Sequence, residues 1–283
     1  MQMPRINPLL AKELRIRMRT WRTFAFVSLY LLGLGGFALI FFAALFSQVR
    51  MGYETLAGVG RGMFAFLAIL QFSLVAFTVP ALVGNAVSGE RERQTFDLLA
   101  CTQLTPWGIV LGKLTAALSA VVLLMVASLP LYGFVFLMGG VSPGELVVLF
   151  LIMLLAAFFV GCWAMMFSSL FRRTVSSIIA SYALTLFLMG GTFILASLIE
   201  IISYSGGSVL TYPLLILNPL VLFECVFPAE GGDFLGVILY NYPFTTSWLK
   251  YWHFALLANG AFAAFCLWIS SRAVNPLRGR RKG

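Results

Sequence analysis

Charge is scarce in this chain. Only 10% of the 283 residues are Asp, Glu, Lys or Arg, and mean hydropathy is +0.97. Soluble domains carry about a quarter of their residues as charges, so a soluble globular class is excluded. Histidine occurs once, at His253, and the four cysteines (Cys101, Cys162, Cys225, Cys266) include no CxxC pair. That inventory builds no zinc, haem or iron–sulfur site within one chain and implies no disulfide framework, so no metal and no cofactor are expected on it. A Ser–His intramembrane protease is excluded too, because Ala86-Val87-Ser88-Gly89 is the nearest approach to a nucleophile motif and the one histidine stands at the start of the last apolar run. No G-x-x-x-x-G-K-[ST] phosphate loop is present, so this polypeptide is not itself an ATPase. The interiors of its apolar runs lack groups that titrate near neutral pH. Their polar residues include Gln71, Ser73, Thr78, Ser119, Ser128, Thr185, Thr192, Ser197 and Asn259. Proton coupling is therefore disfavoured, while sodium coupling through hydroxyls and carbonyls stays open.

What is present is a series of apolar runs: residues 24–46, 63–87, 115–139, 146–171, 175–200 and 251–270. Each is close to the ~20 residues needed to cross a hydrocarbon layer of about 30 Å. The expected fold is an all-α integral membrane protein with six transmembrane helices. The net charge of +9 would suit nucleic acid on a soluble face, but the basic residues cluster at the ends of the apolar runs. That distribution is a topology signal, and no nucleic-acid partner is expected. Sixteen Lys and Arg fall in residues 1–22, 88–114, the Arg172-Arg173 pair and the tail from Arg272, against three (Arg50, Arg61, Lys250) in the alternate segments. The bias places both termini and the 88–114 loop in the cytoplasm of a plasma-membrane protein.

Residues 1–22 read as an interfacial amphipathic helix. Lys12, Arg15, Arg19 and Arg22 share one face, and Leu10, Leu14, Met18 and Trp21 share the other. The run that follows is too long for a signal peptide and is expected to remain as the first span. Gly33-Leu34-Gly35-Gly36 and Gly190-Gly191 are expected to permit close helix contacts, and Pro80 and Pro130 to kink their helices. Residues 201–250 form an acidic outer connector in which the apolar piece Leu214–Phe227, broken at Asn218-Pro219, is too short to span. A re-entrant segment before the last helix is expected there.

Between the second and third runs lies SGERERQTFDLLACTQLTPWGIVLGKL, residues 88–114. Glu90-Arg91-Glu92-Arg93 cannot lie at the bilayer centre, where a charge costs at least ~2.5–3.5 kcal/mol. Ser88 is a candidate N-cap, Glu90 suits the positive end of a short helix, and Arg93 and Asp97 are spaced to pair. Thr105-Pro106 reads as N-cap and first helical residue of the next span. Phe96, Leu98 and Leu99 have too little local chain to bury against, which suggests apolar anchors inside a charged rim. A solvated charge run remains the alternative reading of the same residues.

The extended string Gly89-Glu90-Arg91-Glu92-Arg93-Gln94-Thr95, Leu98-Leu99, Leu104-Thr105-Pro106-Trp107 and Gly112-Lys113 resembles the cytoplasmic loop of ABC-2 type transporter permeases. The resemblance implies that residues 1–283 are a single ABC-2 type transmembrane domain, the permease subunit of an ATP-driven exporter. It implies a homodimer or a heterodimer with a homologue, surrounded by membrane lipid. A separate cytoplasmic ABC ATPase subunit would bind ATP and Mg and receive Glu90, Arg91, Glu92, Arg93, Phe96, Leu98 and Leu99. It also implies that the re-entrant connector closes the outer mouth of the pathway. Candidates for lining that pathway are Gln71, Ser73, Thr78, Thr185 and Thr192, although helix–helix hydrogen bonding is the more ordinary role for each of them. An ion-coupled secondary transporter and a membrane scaffold are the alternatives.

Overall fold

The computed structural model describes residues 21–50, 55–95, 105–202, 211–225 and 251–274. The expected amphipathic helix of residues 1–22 falls almost wholly outside them. The described residues are 91% helical, with no strand among them, and six helices are long and apolar enough to cross a membrane. In order they are α1 (Trp21–Arg50), α2 (Leu56–Gly84), a short α3 (Ser88–Glu92), α4 (Pro106–Met138), α5 (Pro143–Leu170) and α6 (Thr174–Leu186). A π-helical turn, Phe187–Gly191, carries α6 into α7 (Thr192–Ile202), so that these three pieces make the fifth span. The short α8 (Thr211–Leu215), a 3-10 turn (Pro219–Cys225) and α9 (Tyr251–Val274) complete the chain.

Helix starts follow local chemistry. The Thr105 hydroxyl accepts from Gly108 N–H at 3.2 Å, with Pro106 as the first residue of α4. Ser142 does the same for Glu145 N–H at 3.3 Å ahead of Pro143, and Thr55 for Gly58 N–H at 3.1 Å. Each cap satisfies one donor that the first helical turn leaves without a partner. These caps extend two spans beyond the apolar runs. Arg61 lies within α2 and exposed, and Lys113 lies within α4 and buried. Pro80 and Pro130 each sit inside a continuous helix.

The chain packs as two compact units. The first holds α1, α2 up to Val79, α4 from Leu111 and α5 up to Ala157. Its interior is aromatic: Tyr132 stands edge-on to Phe64 at 5.9 Å and to Phe150 at 5.5 Å, and Phe41 stacks on Phe66 at 4.1 Å. Its tightest contact is between backbones. A Cβ on Gly60 would lie 2.2 Å from the Gly139 carbonyl oxygen, and one on Gly140 would lie 2.3 Å from the Ala57 oxygen. Gly139 and Gly140 end α4 at φ +83° and +84°, conformations that side-chain-bearing residues avoid. The Gly33–Gly36 stretch does not act as a packing device of that kind. A Cβ at Gly33 or Gly36 meets nothing within 4 Å, and one at Gly35 makes only an ordinary contact with Leu131.

The second unit holds the end of α2 from Pro80, α3, the start of α4 and everything from Phe158 onward. Trp163 is buried in it. Its indole N–H donates to the Thr185 hydroxyl at 3.0 Å, which joins α5 to α6. Ser270 of α9 donates to the Met165 carbonyl of α5 at 3.4 Å, and Cys162 and Cys266 are both buried as free thiols. The connector piece breaks where expected. Ile216–Asn218 separate α8 from the 3-10 turn, and neither piece is long enough to cross a membrane.

Candidate functional site

Beyond Gly84 the chain turns through residues 85–87 and enters α3, closed by Ala86 N–H donating to Val83 O at 2.9 Å and Gly89 N–H to Asn85 O at 3.1 Å. Val87 occupies the N-cap position and has no side-chain acceptor to offer. A serine from another helix takes that role. Ser168 Oγ, in the last turn of α5, accepts from Val87 N–H at 2.9 Å and Ser88 N–H at 3.1 Å. Ser88, expected to cap, instead turns its hydroxyl back to the Gly84 carbonyl at 2.7 Å, because it stands inside α3 and not ahead of it. Ser177 of α6 donates to the same carbonyl at 2.8 Å. The end of α2 and the start of α3 are thus both satisfied by hydroxyls, two of them from remote helices. Gly84 makes this approach possible: a Cβ there would stand 3.1 Å from Ile178 Cγ1 and 3.4 Å from its Cα.

Arg91 and Glu92 extend the same arrangement. The half-buried Arg91 donates through Nη1 to Ser169 O at 2.5 Å and through Nη2 to Ala273 O at 3.0 Å. Those carbonyls belong to the last turns of α5 and α9, where helix dipoles end negatively and a cation is favoured. Glu92 lies at a helix end of opposite sign. Its Oε2 accepts from the Thr174 N–H at 3.0 Å and from the Thr174 hydroxyl, and Thr174 is the first residue of α6. Arg173, at the N-cap of α6, gives that helix no side-chain cap, so Glu92 supplies it from α3. The two Thr174 bonds hold the exposed Glu92 carboxyl below its usual carboxylate range.

The far end of α3 closes with Gln94 at φ +58°. Thr95 N–H donates to Glu90 O at 2.9 Å and Gln94 N–H to Arg91 O at 3.1 Å, the paired bonds of a Schellman closure with Gln where glycine is usual. A left-handed non-glycine residue costs about 1–2 kcal/mol, and such strain gathers at working sites. The closure leaves Arg93, Gln94 and Thr95 exposed, while Glu90 is half-buried. Of the expected docking residues, then, Arg91 and Glu92 are engaged with the chain's own helix ends and Arg93 faces outward. Phe96, Leu98 and Leu99 lie outside the described residues, as does Asp97, the proposed partner of Arg93. The remote members of this arrangement, Ser168, Ser177 and Thr174, were missed by reading the sequence. Only asking where the orphan donors of residues 87 and 88 go would have pointed to them.

The pathway candidates divide. Gln71, Ser73 and Thr78 belong to the first unit, Thr185 and Thr192 to the second. Ser73 and Thr78 bond back to the carbonyls of Ile69 and Leu74, at 2.8 and 2.7 Å. Thr185 and Thr192 bond back likewise, at 2.8 and 2.6 Å, and each also accepts from another element. Trp163 is the donor at Thr185. At Thr192 it is Asn218, whose Nδ2 lies 3.0 Å away. Gln71 differs from all four: it is fully buried, and neither its Oε1 nor its Nε2 has a partner.

Asn218, read from sequence only as a break, is an organising residue of the connector. Its Nδ2 also donates to Met189 O at 3.2 Å, inside the π-turn, and its Oδ1 accepts from Leu220 N–H at 2.9 Å. Asn259 of α9 donates to Ile216 O at 3.1 Å. The non-helical Ile216–Asn218 stretch is thereby tied to the fifth and sixth spans. Gly190 and Gly191 end the π-turn; a Cβ on Gly190 would meet nothing within 4 Å and one on Gly191 would meet only the Phe187 ring of the same turn, at 3.1 Å, so neither makes a close contact with another helix of this chain. A comparison with curated proteins finds no match. A protein-family model described as ABC-2 family transporter protein matches residues 8–236. With well over half of its length inside that match, the chain belongs to the ABC-2 family of transporter proteins.

Proposed function

We propose that this membrane transport component is the permease of an ATP-driven exporter in the plasma membrane, with both termini cytoplasmic. It acts as a homodimer or heterodimer within the lipid, and two cytoplasmic ABC ATPase subunits bind the ATP and Mg. One observation carries the reading: α3 is stapled to helix ends while its outer edge stays open. Ser168, Arg91 and Glu92 join it to the ends of α5, α9 and α6, and Arg93, Gln94 and Thr95 are left exposed. A solvated loop has no use for six hydrogen bonds to three distant helices. A lever does.

On this reading the ATPases close on ATP and push the 88–104 segment, with Phe96, Leu98 and Leu99 as apolar anchors and Arg93 and Glu90 in the rim. The second and third spans flank the segment in sequence. The staple adds the fourth, fifth and sixth, so that one displacement reaches five helices. The residues of an interface that carry its energy are few, and a buried aromatic anchor is worth ~2–4 kcal/mol. The double variant Phe96→Ala, Arg93→Ala should therefore reach normal membrane levels, since it touches none of the staple bonds. It should lose co-purification of its ATPase and transport-coupled ATP hydrolysis. Wild-type coupling in that variant would return the segment to a solvated loop and remove the exporter reading.

A further inference from the structure

Among the described residues of the first unit, three polar groups are buried without a hydrogen-bond partner: the Gln71 amide on α2, the Tyr30 hydroxyl on α1 and the Tyr132 hydroxyl on α4. The residues are 0%, 7% and 1% exposed. Nearby hydroxyls show what satisfied polar groups look like here, since Ser73, Thr78, Ser119 and Ser128 all bond back to their own helix. An amide carries two donors and two acceptor lone pairs, and leaving all of them empty in a dry interior is costly. Native structures keep such a group where something else fills it.

Gln71 and Tyr132 lie along one face of α2. Phe64 of α2 packs edge-on against Tyr132 at 5.9 Å, and Gln71 lies seven residues further along the same face of α2, about 10 Å away at 1.5 Å per residue. The Tyr30 hydroxyl on α1 is the third buried, unpartnered group of the same unit. Residues 25–47, 63–84 and 114–138, the stretches of α1, α2 and α4 that carry these groups, contain no Asp, Glu, Lys or Arg. An anionic or cationic group would enter without a counter-charge, at a cost the low dielectric makes prohibitive.

We infer that Gln71, with Tyr30 and Tyr132, is a hydrogen-bonding station for an uncharged polar group, a hydroxyl or amide, carried on an otherwise apolar transported molecule. The inference rests on the permease reading above and names the class of its cargo. In the conformation described the station is closed. Entry requires separation along α1, the least buried of the six spans, with 17% of its apolar window covered.

The test uses the purified full-length chain in phosphatidylcholine nanodiscs containing either dioleoylglycerol or dioleoylphosphatidic acid at equal mole fraction. These probes share their acyl chains and differ in the charge of the head. Native mass spectrometry should find dioleoylglycerol retained in preference to the phosphatidic acid. Gln71→Leu should lower that retention about tenfold, the effect of one or two hydrogen bonds lost in a dry site, and should unfold at an equal or higher temperature. Tyr132→Phe and Tyr30→Phe, which keep the ring packing, should each lower retention less. Equal retention of the two probes by the wild type overturns the inference. So does wild-type retention by Gln71→Leu. A lowered unfolding temperature in Gln71→Leu also overturns it, because the amide would then be a structural group. No ATPase takes part in the measurement, so its failure and the failure of the docking test are separate results.

Discussion

At Gly60 the space for a single methyl group is missing. The atom in the way is the Gly139 carbonyl oxygen, 2.2 Å from where a Cβ would be, and backbone cannot swing aside as the end of a side chain can. Gly60→Ala must therefore push the start of α2 from the end of α4. Overpacking of this kind costs about 1–3 kcal/mol, and the unfolding temperature in detergent should fall accordingly, with Gly36→Ala as a silent control. Arg91 makes the opposite case, a long side chain whose geometry is fully used. Its two nitrogens reach carbonyls on two helices, and a lysine ammonium lacks the planar fork to hold both. Arg91→Lys should cost about 1.5–3 kcal/mol, the usual worth of a hydrogen bond to a charged group, although the charge is kept. Unfolding temperatures equal to wild type would mean that the guanidinium contributes only charge. Glu92 adds a pH dependence with a definite sign. Its folded carboxyl is held low by Thr174, so the stability it contributes is present above the unfolded value of about 4.3 and lost as pH falls through the folded one. Glu92→Gln should flatten the acid limb of the stability profile, and an unchanged limb would show that the Thr174 bonds carry no linkage.

Among the elements, the fifth span is the one that departs from plain helix. The π-turn Phe187–Gly191 opens the ladder around Met189, and Asn218 fills the gap from the connector while the Thr192 hydroxyl returns to Leu188 O. Asn218→Leu keeps the branch at Cγ, is bulkier, and has no donor. It should leave Met189 O unsatisfied and loosen the connector, and amide exchange across residues 188–193 should rise while the fourth span stays protected. Unchanged exchange would detach the π-turn from the connector. Much of the element order was legible in the sequence because lipid imposes a length: a run of about 20 apolar residues has few alternatives to a span. Thr105-Pro106 and the Asn218-Pro219 break were legible because caps and breaks act within four residues. The staple was not, since Ser168 lies 80 residues from Ser88, and Arg91 lies 182 from Ala273. No local rule connects them. Ser88 misled for the same reason, as a cap-forming residue one position inside its helix. Gly190-Gly191 misled because a π-turn and a packing groove both ask for missing side chains.

For the whole molecule, the sidedness of the membrane can be argued from two independent directions. Arg91 bonded to Ser169 O and Ala273 O, with Glu92 bonded to Thr174, puts α3, the end of α5, the start of α6 and the end of α9 together. A hydrogen bond of 3.0 Å cannot bridge a bilayer, so Arg91 of α3 and Ala273 at the end of α9 lie on the same face. That conclusion uses no charge counting. The Lys and Arg tally, sixteen against three, is the argument that this face is the cytoplasmic one, because positively charged loops tend to be retained in the cytoplasm. Reporters inserted at residues 101–104 and after Lys282 should therefore agree with one another, and both should read cytoplasm. A reporter near Gly231, after the connector and before the last span, should read the opposite side. The two arguments fail differently. Disagreement between the first two reporters would break the staple, and with it the lever. Agreement on the external face would leave the staple intact and invert the protein, placing the α3 surface out of reach of any cytoplasmic ATPase. Only cytoplasmic signal at both positions, with external signal at Gly231, lets ATP-driven closure push on α3 and move the spans attached to it.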